Sequence, residues 1–139
     1  MRTKVLYLIF LCILTASCSI NQFKKNLRHG RWVYQDSTSN DVLTSKGRYR
    51  KGNEVGRWNH YKNGILFRQE KFKGNTAQVV NYYPNKKVES AGTTGLDRSD
   101  EMIHWYYDGK WKFYSEDGNL DSIKIFDKGQ LISAEGSVD

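Results

Sequence analysis

Three histidines, His29, His60 and His104, together with scattered serines and carboxylates, are the residue types in this sequence that could carry acid–base, nucleophilic or metal chemistry. Their spacing argues against each. A zinc site asks for cysteine or histidine ligands at short, regular intervals, and no histidine here has a partner at such spacing. His60 falls beside Trp58 on a strand pattern, and His104 beside Ile103 on an exposed one. No serine sits in a Gly-x-Ser-x-Gly elbow. The glycines are isolated and spaced as hairpin turns rather than gathered into a phosphate-cradling loop. Asp97, Asp100 and Glu101 form an acidic knot without calcium-loop spacing, and read as a solvated loop. Glu116 and Asp117 are neighbours in a turn, not two carboxylates facing one bond. The residues therefore point to a non-enzyme with no metal and no cofactor.

Cys18 is the exception, and its chemistry is acylation. The chain opens with Arg2 and Lys4, runs through apolar residues 5–14, and then passes Thr15, Ala16 and Ser17 before the cysteine. A basic start, a short apolar stretch and a small-residue exit make an export signal over residues 1–17. Ten residues of helix span only about 15 Å, half the hydrocarbon core of a bilayer. Leu14-Thr15-Ala16-Ser17-Cys18 resembles a bacterial lipobox, with Thr15 where that pattern usually carries leucine. The resemblance implies that Cys18 becomes the first mature residue and carries two or three acyl chains. Each buried methylene contributes about 0.8 kcal/mol, and two chains hold a protein stably where one does not. Cys12 leaves with the signal, so acylation also accounts for the one remaining thiol. The alternative is ordinary signal-peptidase cleavage. Ser19, rather than aspartate, after the cysteine implies by the same resemblance the outer membrane.

Removing residues 1–17 takes two of the 22 basic residues and no acid, leaving 20 against 15 and a net charge of +5. Export removes nucleic acid as a partner. What remains is proximity to anionic lipid head groups or polysaccharide, or simply a lysine-rich solvated surface. Tyr82, Tyr83, Trp105 and Tyr107, with Lys86 and Lys87, are more amphipathic side chains than one core face needs. They form the candidate binding set, on the second face of a sheet, for an envelope protein, a lipid head group or a glycan.

These residues need a scaffold, and the chain supplies one by repetition. Residues 18–28 read as the lipidated cysteine and a polar tether; the domain occupies 29–139. Gly30-Arg31-Trp32, Gly56-Arg57-Trp58 and Gly109-Lys110-Trp111 are three copies of Gly-basic-Trp. Tyr34, Tyr61 and Tyr114 follow them, and turns follow two, at Asn63-Gly64 and Asp117-Gly118. Aligning Tyr83-Pro84-Asn85-Lys86 on Tyr61-Lys62-Asn63-Gly64 reveals an eroded copy with Val80 at the tryptophan position. Polar insertions at 36–41 and 92–101 lengthen two of the units. Periods of about 20–50 residues indicate stacked repeats. Turn residues between short segments rich in Trp, Tyr, Phe, Ile and Val are the strand signature, and no window sustains a helical stripe. The expected fold is an all-β antiparallel meander.

The string Gly-x-Trp, Tyr, Asn-Gly and then a strand ending in an aromatic and Lys-Gly resembles the bacterial variant of the MORN repeat, over roughly residues 30–129. That resemblance implies an elongated sheet of successive hairpins after the signal helix. It makes Gly30, Trp32, Gly56, Trp58, Tyr61, Gly64, Gly109, Trp111, Tyr114 and Gly118 the structural repeat positions. Two functions fit: a tethered binding module, or a structural spacer in an envelope assembly. The resemblance also brings an antitoxin-like reading, at odds with an export signal. Trp32, Trp58 and Trp111 are expected to stack as a ladder on one face. Truncating such a ring, in Trp58→Ala, should cost about 3–5 kcal/mol. Denaturant unfolding checks it, and a loss under about 1 kcal/mol would remove Trp58 from the core.

Overall fold

In a computed structural model, residues 19–98 and 102–136 are described. Cys18, the signal segment, Asp100 and Glu101 lie outside them. Every regular element among the described residues is a strand. They run β1 Gln22–Lys24, β2 Leu27–Ser37, β3 Val42–Arg50, β4 Asn53–Lys62, β5 Ile65–Lys73, β6 Thr76–Tyr82, β7 Val88–Arg98, β8 Ile103–Tyr114, β9 Leu120–Asp127 and β10 Gln130–Gly136. Each pairs antiparallel with its sequence neighbours, giving one ten-stranded meander without a crossover. Left-handed residues reverse the chain between strands, at Asn63-Gly64 and Lys128-Gly129 among others. Two-residue hairpins need that conformation at both central positions, which asparagine and glycine tolerate best.

The sheet begins earlier than the sequence pattern indicates. Residues 22–28, expected in the tether, form β1 and the start of β2, with Gln22 paired to His29. The Asn21 side chain bonds both the amide and the carbonyl of Val33, at 2.8 and 3.0 Å, and so ties the leader to β2. The insertion expected at 92–101 is strand as far as Arg98, and buries Thr94 and Leu96. That described part lengthens β7, with Asp97 exposed near its end.

The second and third Gly-basic-Trp triplets build a specific device, whereas Gly30-Arg31-Trp32 pairs in unbroken register with Tyr49, Arg48 and Gly47. Lys46 pairs with Asn59 and Arg48 with Val55, so Gly56, Arg57 and Trp58 of β4 all oppose Gly47. Likewise Ala91 pairs with Lys112 and Thr93 with Asp108, leaving Gly109, Lys110 and Trp111 opposite Gly92. These are special bulges, three residues against one, opened by the left-handed φ of Gly56 and Gly109 (65° and 66°). Each tips an indole onto the partner strand's glycine. A Cβ on Gly47 would lie 2.0 Å from the Trp58 ring, and one on Gly92 would lie 2.2 Å from the Trp111 ring. The indole N–H then reaches the carbonyl one residue on, Arg48 at 3.2 Å and Thr93 at 2.8 Å. Both rings are thereby buried with their polar atom satisfied.

The tryptophans do not form a continuous ladder. Trp32, Tyr49 and Trp58 make one cluster, with Tyr49 set edge-on between the two indoles at 5.5 and 5.1 Å. Ala77, Val79 and Trp111 make a second, and Phe72 packs against both. Val79, not Val80, takes the tryptophan position of the eroded copy. A bulge after Asn81 matches those after His60 and Phe113, so Tyr82 aligns with Tyr61 and Tyr114. Three residues before Tyr82 is Val79, which is 1% exposed. The sequence alignment slips by one because the β6–β7 turn is longer than Asn63-Gly64. Tyr34 is likewise not equivalent to Tyr61 and Tyr114: two residues after its tryptophan, it stays on the indole face and stacks on Trp58.

Gly92→Ala should lose about 1–3 kcal/mol, because the new methyl must push aside a fully buried indole. Denaturant unfolding, with a red shift of tryptophan emission in the folded state, is the check. An unchanged midpoint would separate Gly92 from the docking of Trp111.

Candidate functional site

The indole face carries the chemistry as well as the core. Between the two clusters it holds a cleft of about 370 Å³. Tyr34, Tyr49, Trp58, Phe72 and Trp105 supply its rings, and Ser45, Glu54, His60, Arg68 and Glu70 its polar groups. Phe72 and Trp105 lean together edge-on at 5.5 Å, across the small Ala77 and Thr94 of the intervening strands. Tyr34 and Trp105 keep 37% and 38% of their surface exposed, whereas Trp58 keeps 3%. The first two are the rings a ligand can touch.

The polar floor is a connected network. Ser45 Oγ lies 2.8 Å from His60 Nδ1, and His60 Nε2 lies 2.9 Å from Glu70 Oε2. Arg68 donates to Glu70 Oε1 through Nε at 3.1 Å and Nη2 at 2.6 Å. With an ionised Glu70 accepting from Nε2–H, Nδ1 is left to accept from the Ser45 hydroxyl. Burial pushes the Glu70 carboxyl up, but the hydrogen bonds from His60 and Arg68 outweigh it and hold it below its usual range. Beside this chain, the Tyr49 hydroxyl donates to Glu54 Oε1 at 2.8 Å and lies 3.3 Å from both the Tyr34 hydroxyl and Arg28 Nη1. Burial first, then the bonds with Tyr34 and Glu54, pushes the Tyr49 phenol well above its ordinary value.

A serine–histidine–carboxylate chain can pass a proton, and its parts match the logic of a nucleophilic triad. Acyl transfer also needs donors aimed at a developing oxyanion. Ser45 sits mid-strand in β3, paired on both sides, where backbone N–H groups serve the ladder. Arg68 further lowers the basicity of the carboxylate. The arrangement satisfies polar groups that line an otherwise aromatic cleft, and fixes their direction. Among the described residues, no group of three His, Cys, Asp or Glu stands close enough to hold a metal ion.

The structure does not bring the sequence-derived binding set together. Trp105 and Tyr107 belong to the indole face, not a second face: Trp105 lines the cleft, and Tyr107 stacks on Trp111 at 4.1 Å. Tyr106 occupies the opposite side, its ring on Gly95. Tyr82 lines a separate 240 Å³ recess with Ile65, Phe67 and Pro84. Tyr83 donates to the Tyr114 carbonyl at 2.8 Å, and Lys87 to the Asp117 carbonyl at 2.8 Å. Those two bind the β6–β7 turn to the β8–β9 turn, and Lys86 is the exposed left-handed residue between them. Ser45, Arg68 and Glu70 escaped the sequence pattern, which placed His60 only as a strand neighbour of Trp58, because the four come from three strands and no local motif joins them.

No protein-family model and no curated protein matches the chain. Among solved structures it is similar to one titled "Crystal structure of GtfA/B complex", with 15% identity and a TM-score of 0.26. The match covers 74% of this chain and 19% of that one, and so loose a superposition carries no structural argument.

Glu70→Gln should test the network through pH. A carboxyl held below its ordinary value near 4.5 contributes stability that is present above that value. The contribution is lost as the pH falls through the folded-state value, because the unfolded chain binds the proton first. Wild type should therefore be the more stable protein at neutral pH, and the gap in unfolding midpoint should narrow below pH 4.5. A gap independent of pH would remove Glu70 from the ion-paired role.

Proposed function

We propose that this chain is an exported lipoprotein, acylated on Cys18, whose MORN-like repeat sheet is a non-catalytic binding module facing an envelope partner. The observation that carries the binding half is the cleft itself. Exposed Tyr34 and Trp105 stand beside a hydrogen-bonded polar floor, the usual composition of a ligand site, with apolar walls and a few fixed polar groups. The glycine-seated indoles and recurrent bulges support the repeat reading, since the same device recurs at Trp58 and Trp111. The anchor rests on the sequence around Cys18, and its outer-membrane destination on Ser19. The sheet's first strand begins four residues after Cys18, at Gln22, so an acylated protein would hold its β1 edge close to the lipid surface.

Two measurements test the proposal. The protein should sediment with membranes at a mass that starts at Cys18 plus acyl chains, with the unprocessed precursor accumulating under globomycin. Cys18→Ala should release it to the soluble fraction, and a soluble, unacylated wild type would sink the anchor. Wild type should also retain a component of solubilised envelope that Trp105→Ala loses. Equal retention by the two proteins would remove the cleft from the binding role.

A further inference from the structure

We propose that the cleft between Trp58 and Trp105 is a saccharide site, taking a neutral hexopyranose unit of an envelope glycan; this rests on reading the sheet as a binding module. Charge decides between ligand classes. The cleft's lining includes two carboxylates, Glu54 and Glu70, and one guanidinium, Arg68. That guanidinium is spent on Glu70 through two donors and lies 3.4 Å from Asn81 with a third. An anionic ligand such as a phosphate or a lipid head group would meet the Glu54 carboxylate, whose neighbouring cation Arg28 is already engaged with the Tyr49 hydroxyl, and would have to break the Arg68–Glu70 pair, at a high cost for partly buried charges.

A neutral polyol meets the opposite situation. Sugar hydroxyls donate and accept, and the floor offers both kinds of partner. Glu54 accepts one protein hydrogen bond, from Tyr49, and a carboxylate has about four acceptor sites. Glu70 accepts from His60 and Arg68, so its orientation is fixed before any ligand arrives, which reduces the ordering cost of binding. The C–H-rich face of a pyranose is weakly positive and suits the electron-rich face of an aromatic ring. Tyr34 and Trp105 supply such rings, each more than a third exposed; Tyr34 is held by Trp58, Trp32 and the Arg28 guanidinium, and Trp105 meets Phe72 edge-on. At about 370 Å³ the cleft lies at the small end of ligand sites, sized for part of a chain that continues into solvent.

The test uses the full-length mature protein in a zwitterionic detergent, with cellotetraose and tetra-N-acetylchitotetraose as probes. At least one should give saturable binding by tryptophan fluorescence and calorimetry, changing little with added salt. Trp105→Ala should weaken it at least tenfold and Glu54→Gln severalfold, with unfolding midpoints confirming that both variants fold. Absence of saturable binding to either sugar, or equal binding by wild type and Trp105→Ala, overturns the proposal. So does steeply salt-dependent binding to vesicles containing phosphatidylglycerol with none to the sugars, which would make the occupant an anionic surface. If the sugars fail while Trp105-dependent retention of envelope material persists, the saccharide assignment falls and the binding module stands.

Discussion

The seating of an indole on a glycine of the neighbouring strand is the constraint on which this sheet depends. An open antiparallel meander has one face to bury and no second layer to bury it against. Aromatic rings laid flat along the sheet cover their own backbone instead. That requires a bulge to tip the ring sideways and a glycine to receive it, as Gly56 and Gly47 do for Trp58 and as Gly109 and Gly92 do for Trp111. The indole N–H bond to the next carbonyl fixes the ring's rotation. Burial, direction and polar satisfaction thus come from one arrangement, used twice.

Where the device is missing, the sheet changes character. Val79 fills the tryptophan position of the third unit with far less volume, and the core divides into two clusters joined by Phe72. The cleft lies at that division, with Trp105 reaching back from β8 to meet Phe72. The weakened repeat is therefore what makes room for a site, and the polar network from β3, β4 and β5 forms its floor. Lysines and tyrosines at the turns do a different job: Tyr83, Asn85 and Lys87 join consecutive hairpin ends through carbonyls of 114–117.

Much of this was legible in the residues. Asn63-Gly64 and Lys128-Gly129 marked reversals because few residues accept a left-handed backbone, and the aromatic segments between such signals could only be strands. Gly-basic-Trp announced the repeats. The partner glycines did not announce themselves: Gly47 sits in ordinary strand sequence and Gly92 at the head of an apparent polar insertion, and a steric vacancy is visible only once the ring is placed. Residues 22–28 looked like tether for a similar reason, since β1 is held by Asn21 and pairing to β2 rather than by an apolar pattern of its own.

The site shows the division most plainly. A plain two-residue turn at Asn63-Gly64 would set His60 opposite Phe67 and leave Glu70 on the far side of the sheet. The bulge at Phe67 moves His60 opposite Arg68 and Trp58 opposite Glu70, and so carries Glu70 onto the indole face. One inserted residue reverses every side chain beyond it, because strand side chains alternate with a period of two. Strand content, antiparallel order and the repeating tryptophans follow from local residue preferences, and the sequence alone determined them. Which residues share the face of His60 depends on where the ladder slips, and slippage is set by packing between strands. Only the tertiary structure decided that.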